Sequence, residues 1–261
     1  MFIKTVGSKM VKIIILIMLS VCMESLGAEQ ILPDTVEKIK PSIVAVGTFM
    51  PKRAPRAVFR GTGFAIGDGS LIVTNAHVIP NALKKDRMEK IAVFIKQNGK
   101  DLLYYSIVRA IDRGNDIAIL KLDRGRLPPL SLATNNVREG ELYAFTGYPI
   151  GMVLGLYPVT HRGIISAISP VAIPAIKAKY LNAKSLSRLR HPFMVYQLDA
   201  TAYPGNSGSP LYHPETGEVI GIINKVFVKE TKENVLAKPS GITYAIPIEH
   251  LRSLLKSEKI M

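Results

Sequence analysis

The chain has 261 residues, 48% hydrophobic and 21% charged, a balance that excludes a disordered or fibrous polypeptide and leaves length for a full core. Lys and Arg exceed Asp and Glu to give +14, a charge that speaks to solubility and polyanion attraction rather than to fold. One cysteine, Cys22, and five histidines without close ligand spacing give no disulfide framework, no metal site and no expected cofactor.

In chain order, residues 1–28 read as a secretory signal. Lys4, Lys9 and Lys12 precede the apolar run Ile13 to Met23, and small residues follow in Ser25-Leu26-Gly27-Ala28. The run is shorter than the roughly 20 apolar residues of a spanning helix. Cleavage after Gly27 or Ala28 is expected, Met10 opens a complete signal by itself, and an uncleaved anchor is the alternative. Cys22 lies within it, in a faint likeness to a lipoprotein box with bulky Val21 at the small position. The expected location is the cell envelope, periplasmic or secreted.

Asp34 is expected to cap a short helix over Thr35 to Lys40, stopped by Pro41. Strands are expected over Ser42–Phe49, Gly61–Ile66, Leu71–Thr74, Ile91–Ile95, Leu102–Val108 and Ile117–Leu122. Leu127-Pro128-Pro129-Leu130 reads as a linker. The second half repeats the style over Leu142–Thr146, Gly163–Ile168, Met194–Leu198, Pro210–Tyr212, Val219–Val228 and Ile242–Ile246. Short strands with frequent turns predict an all-β protein, and two similar halves favour two barrels, 29–125 and 126–261. Ile248 to Lys256 reads as a terminal helix with Ile248, Leu251, Leu254 and Leu255 on one face. The acid-free basic stretch Lys177 to Arg190 breaks the strand rhythm. It either packs onto its domain or touches a polyanion or membrane surface.

Three motifs carry chemistry. Thr74-Asn75-Ala76-His77-Val78 places a histidine where the chain leaves a strand, with an ordinary pKa suited to a general base. Asn115-Asp116-Ile117-Ala118-Ile119-Leu120 sets a carboxylate at the mouth of a buried strand, able to fix an imidazole tautomer. Asp112 competes with it, and a capping role is the plain alternative for either. Tyr203-Pro204-Gly205-Asn206-Ser207-Gly208-Ser209-Pro210 puts a serine in a glycine turn able to bare backbone N–H groups. Alone, it reads equally as a hairpin turn.

The order His77, Asp116, Ser207 is that of chymotrypsin-like enzymes, and these motifs resemble those of trypsin-like serine peptidases, most nearly the HtrA (Deg) type. Val36 to Val44, Gly61-Thr62-Gly63-Phe64, Gly163 to Ala167 and Ile242 to Pro247 fit that group too, so the resemblance covers Asp34 to Leu255. It implies two six-stranded antiparallel β-barrels with short N- and C-terminal helices. It also implies a serine endopeptidase acting on proteins or peptides. Ser207 is then the nucleophile, His77 the base, Asp116 its orienter, and the Gly205 and Ser207 N–H groups the oxyanion hole. A catalytically silent member of the fold, binding polyanions or a protein through basic loops, is the alternative.

The departures shape expectations. Asn206 stands where digestive enzymes carry the aspartate that pairs with a new N-terminal amine, so zymogen activation is not expected. HtrA-type chains usually continue into PDZ domains, and too few residues follow Pro247 for one; trimer formation is in doubt and the oligomeric state stays open. Ser209-Pro210 looks like glutamyl endopeptidases, yet Ile223 occupies the position of their glutamate-reading histidine. Thr201 stands where enzymes selective for basic side chains carry an acid. Small or medium uncharged P1 residues are expected, with Thr201, Ile223 and Asn224 as substrate-binding residues and the strand from Asn224 to Val226 pairing with substrate backbone.

Overall fold

Apolar, β-branched runs between glycine and proline turns make up the strands. The computed structural model describes residues 31–97, 99–149, 155–170, 193–224 and 241–260. The expected signal with Cys22, the basic stretch Lys177–Arg190 and the strand past Asn224 lie outside the described residues. The first closed barrel contains β1 (Ile43–Phe49), β2 (Ala57–Ile66), β3 (Leu71–Thr74), β4 (Lys90–Gln97), β5 (Lys100–Asp112) and β6 (Ile117–Leu122), in the order β1-β2-β3-β6-β5-β4. The second contains β7 (Leu142–Gly147), β8 (Val159–Pro170), β9 (Met194–Asp199), β10 (Pro210–Tyr212), β11 (Val219–Asn224) and β12 (Ile242–Pro247), in the order β10-β11-β12-β9-β8-β7. Paired strands are antiparallel throughout. With helices α1 (Ile31–Ile39) and α2 (Ile248–Ser257), this is the double barrel expected from the sequence.

Closure leaves no long free sheet edge and turns alternate side chains inward. Each barrel has its own core, one around Val44, Ile72, Val93 and Leu120, the other around Phe145, Ile165, Leu198 and Ile223. A larger apolar cluster crosses between them and takes in Ile39 of α1, Phe64, Tyr212 and the α2 face Ile248, Leu251, Leu254 and Leu255. Each of those leucines is worth about 2 kcal/mol through burial. The linker is stitched to both sides. Leu127 and Leu130 donate N–H bonds to Gly69 and Ala65 of the first barrel, while Val219 of the second donates to Ser131 and accepts from Ala133.

Two expectations change. Asp34 does not cap α1: the helix begins at Ile31, and Asp34 lies in its first turn, where a negative charge still favours the helix dipole. β5 runs past its expected end because a bulge between Val108 and Ala110 interrupts the in–out alternation, and β8 begins before its expected start, at Val159, because Val159 to Arg162 pair with β7 in unbroken register.

Glu89 ties the β1–β2 loop to the segment before β4. Its carboxylate accepts from Thr48 Oγ1 at 2.8 Å, Arg53 Nη1 at 2.7 Å and the Lys84 N–H at 3.1 Å. The Lys84 N–H is the largest cause holding the Glu89 carboxyl below its ordinary value, helped by Thr48 and Arg53 against the cost of burial. A depressed folded-state pKa adds stability above the unfolded value that is lost as pH falls through the folded one. The wild-type Tm is therefore expected to drop more steeply than that of Glu89→Gln below pH 4.5, the ordinary glutamate value. At neutral pH the variant is expected to be less stable by about 1–2 kcal/mol. Thermal unfolding across pH checks both.

Candidate active site

β3 and β6 are paired, with Thr74 opposite Ala118, so the residues just past one strand and just before the other meet at one end of the barrel. His77 sits in a single turn, Ala76–Val78, directly after β3. Asp116 precedes β6 and adopts a left-handed backbone, φ 55°, which aspartate tolerates better than most residues. That conformation lets Asp116 use both ends. Its carbonyl accepts from the Ala76 N–H at 3.1 Å and Asn75 Nδ2 at 3.0 Å. Its Oδ1 accepts from the His77 N–H at 2.8 Å, and its Oδ2 lies 2.7 Å from His77 Nδ1. The imidazole is thus gripped at ring and backbone. Its side chain is 32% exposed and that of Asp116 only 19%, so the ring faces the cleft while the carboxylate is shielded. Asp112 is spent on its own turn, accepting from the N–H groups of Gly114 and Asn115 and from Asn115 Nδ2.

The second barrel brings Ser207, buried to 6% exposure, in the turn between β9 and β10. The first barrel fixes this turn. The Thr62 N–H donates to Ser207 O at 2.8 Å, Thr62 Oγ1 donates to Gly205 O at 2.7 Å, and the Tyr148 N–H in turn donates to that hydroxyl at 2.9 Å. Gly208, φ 89°, has no room for a Cβ, which would lie 2.1 Å from Thr62 O. Gly61 is wedged between the Val78 side chain and Ser207 O, within 2.7 Å of both for an added Cβ. The segment following His77 and the Ser207 turn therefore both pack against one glycine. Among the described residues no hydrogen bond yet joins Ser207 Oγ to His77; such contacts commonly close only with substrate bound.

The N–H groups of the turn divide cleanly. Asn206 donates to Tyr203 O, Gly208 to Ile223 O and Ser209 to Asn206 O. Among the described residues the N–H groups of Gly205 and Ser207 have no partner. Two backbone donors left open beside a serine form a site for developing negative charge. Asn206 is fully buried, and its amide atoms have no partner among the described residues.

The candidate pocket residues fare differently. Thr201 is half-buried beside Ala200, whose carbonyl accepts from Thr243 Oγ1 at 2.6 Å. The Ile223 side chain is enclosed in the second core, and its backbone brackets the turn by donating to Ser209 O and accepting from Gly208. Asn224 is not arranged as a substrate-reading side chain. It is fully buried, and its Nδ2 donates to Asp116 Oδ2 at 2.8 Å across the barrels. His161 was not among the expected site residues. It stacks on Phe145 at 4.9 Å and lies 6.2 Å from the Tyr203 ring. Its Nε2 is buried without a partner among the described residues, and burial lowers its pKa. The sign in the sequence was β8 itself, which extends back through Thr160 and His161 to pair with β7. Among the described residues no three His, Cys, Asp or Glu side chains converge as metal ligands would.

Comparisons with known proteins bear on the family. The family model for a trypsin-like peptidase domain matches residues 61–222. Serine protease HTRA1A of Danio rerio is 34% identical over 232 residues, covering 85% of this chain and 40% of that protein. Serine protease HTRA4 of Homo sapiens is 31% identical over 225 residues, covering 84% and 40%. The chain therefore spans about 40% of the length of these relatives. The crystal structure of a serine endoprotease from Yersinia pestis superposes with a TM-score of 0.59 at 25% identity, covering 87% of this chain and 66% of that one.

Replacing Thr62 by valine keeps its shape but leaves Gly205 O without its donor and the Tyr148 N–H without its acceptor. Thr62→Val is expected to lower stability by about 2–4 kcal/mol, and denaturant unfolding measures it.

Proposed function

The chain belongs to the trypsin-like peptidase family, and from that premise we propose that it is an exported serine endopeptidase. Ser207, His77 and Asp116 act together, and the product of the first half-reaction is an acyl-enzyme. The observation that carries this reading is the double grip of Asp116 on His77, ring and backbone at once. With the carboxylate accepting from Nδ1–H, the lone pair is on Nε2, facing away from Asp116.

Ser207 Oγ attacks the substrate carbonyl and loses its proton to Nε2. The imidazolium is stabilised by Asp116, and the tetrahedral oxyanion by the N–H groups of Gly205 and Ser207. Each such donor is worth about 3 kcal/mol in comparable sites. Collapse breaks the C–N bond as Nε2 returns the proton to the leaving amine. Water then repeats the sequence on the ester, and Ser207 is released. Asn206 carries no charge to pair with a new amine, so no activating cleavage is needed. Thr201 offers an Arg or Lys side chain no counter-charge, so small or medium uncharged P1 residues are favoured. The substrate class is protein or peptide, and export rests on the N-terminal sequence.

A fluorophosphonate probe is expected to label the wild type and leave Ser207→Ala unlabelled, with casein cleavage lost in parallel. A wild type that neither labels nor cuts casein or a peptide library would sink the reading. Asn224 is a positioning residue acting through Asp116. Asn224→Ala is expected to lower kcat about 10–100-fold with little change in KM, the worth of one hydrogen bond to a charged group.

A further inference from the structure

A cavity of about 500 Å³ opens where the first barrel, the linker and α2 meet. None of His77, Asp116 and Ser207 lines it. Its apolar walls include Ile66, Leu130, Leu132 and Leu255, and its polar wall is Arg252 and Lys256. Among the described residues no acidic side chain lines it. Asp68, one residue beyond the lining Gly67, is turned instead toward Ser70, Lys121 and Arg126.

The two cations are set for a missing negative charge. Arg252 Nη2 donates to the carbonyls of Leu132 and Ala133, but its Nε is buried with no partner among the described residues. Among the described residues neither Arg252 nor Lys256 forms an ion pair. A guanidinium does not discharge itself by losing a proton, so a half-buried one calls for a counter-charge. Lys256 lies four residues on, on the same face of α2, where like charges repel. The volume is that of a small-molecule site, apolar with a few polar groups that fix orientation.

We propose that this cavity binds an apolar carboxylic acid. Its carboxylate lies between Arg252 and Lys256, and its hydrocarbon body runs along Leu130, Leu132 and Leu255. Such a ligand touches the β2–β3 turn, the linker and α2 together, so it braces the two barrels against each other and stabilises the folded chain.

Octanoate is the probe, titrated into the full chain by calorimetry and thermal unfolding, with octanol and acetate as controls. Saturable octanoate binding with a raised Tm is expected, and octanol and acetate should each bind far more weakly. Lys256→Glu, which removes no described hydrogen bond of its side chain, is expected to weaken octanoate about tenfold or more. Arg252→Gln should do the same, and its unliganded Tm reports any cost of losing the linker bonds. Equal binding of octanol and octanoate would overturn the proposal, as would octanoate binding that neither variant weakens or an absence of saturable binding.

Discussion

Thr62 belongs to the first barrel, yet its N–H and its hydroxyl both bind carbonyls of the turn that carries Ser207. That clamp decides which way the peptide groups of the turn face. With Gly205 O and Ser207 O drawn toward β2, and the N–H groups of Asn206, Gly208 and Ser209 bound within the second barrel, the Gly205 and Ser207 N–H groups are left, among the described residues, to face a ligand. Two further contacts enforce the same geometry. Thr74 Oγ1 donates to Thr62 O at 2.6 Å, and Gly208 sits where any side chain would collide with that carbonyl. The two open N–H groups of one barrel are thus preorganised by a strand of the other.

Asp116 does the reverse. It is anchored in the first barrel, orients His77, and receives Asn224 from the second. Its left-handed backbone is a strained conformation of the kind that persists only where its surroundings over-determine it. Here five hydrogen-bonding contacts do so: two at its carbonyl, three at its carboxylate. Charge placement follows the same logic. The imidazole is open enough to exchange protons with a substrate, while the carboxylate that steadies it is covered.

Much of this was legible in the sequence because it is local. Thr74 to Val78, Asp116 to Leu120 and Gly205 to Pro210 each fold within a few residues of a strand end, and strand periodicity predicted both barrels and the apolar face of α2. What was not legible depends on long-range register. Asn224 could be placed on its strand, but not opposite Asp116, because that pairing is set by how two barrels dock. His161 was hidden for a similar reason: Val159 to Arg162 are strand through their pairing with β7, where His161 stands opposite Phe145, and that register is set by the barrel rather than by the local sequence. Asp34 shows the converse error: a good capping residue is also a good first-turn residue, and only the position of Ile31 in the helix separates the two.

A crystal structure of the chain inhibited with a peptidyl phosphonate will show whether the cross-barrel clamp presents the Gly205 and Ser207 N–H groups to developing negative charge. The phosphorus is expected on Ser207 Oγ, with the phosphonyl oxygen about 3 Å from both the Gly205 and Ser207 nitrogens and the Thr62 bonds unchanged. A phosphonyl oxygen pointing away from those nitrogens, or a turn that must leave Thr62 to accept it, would contradict the account.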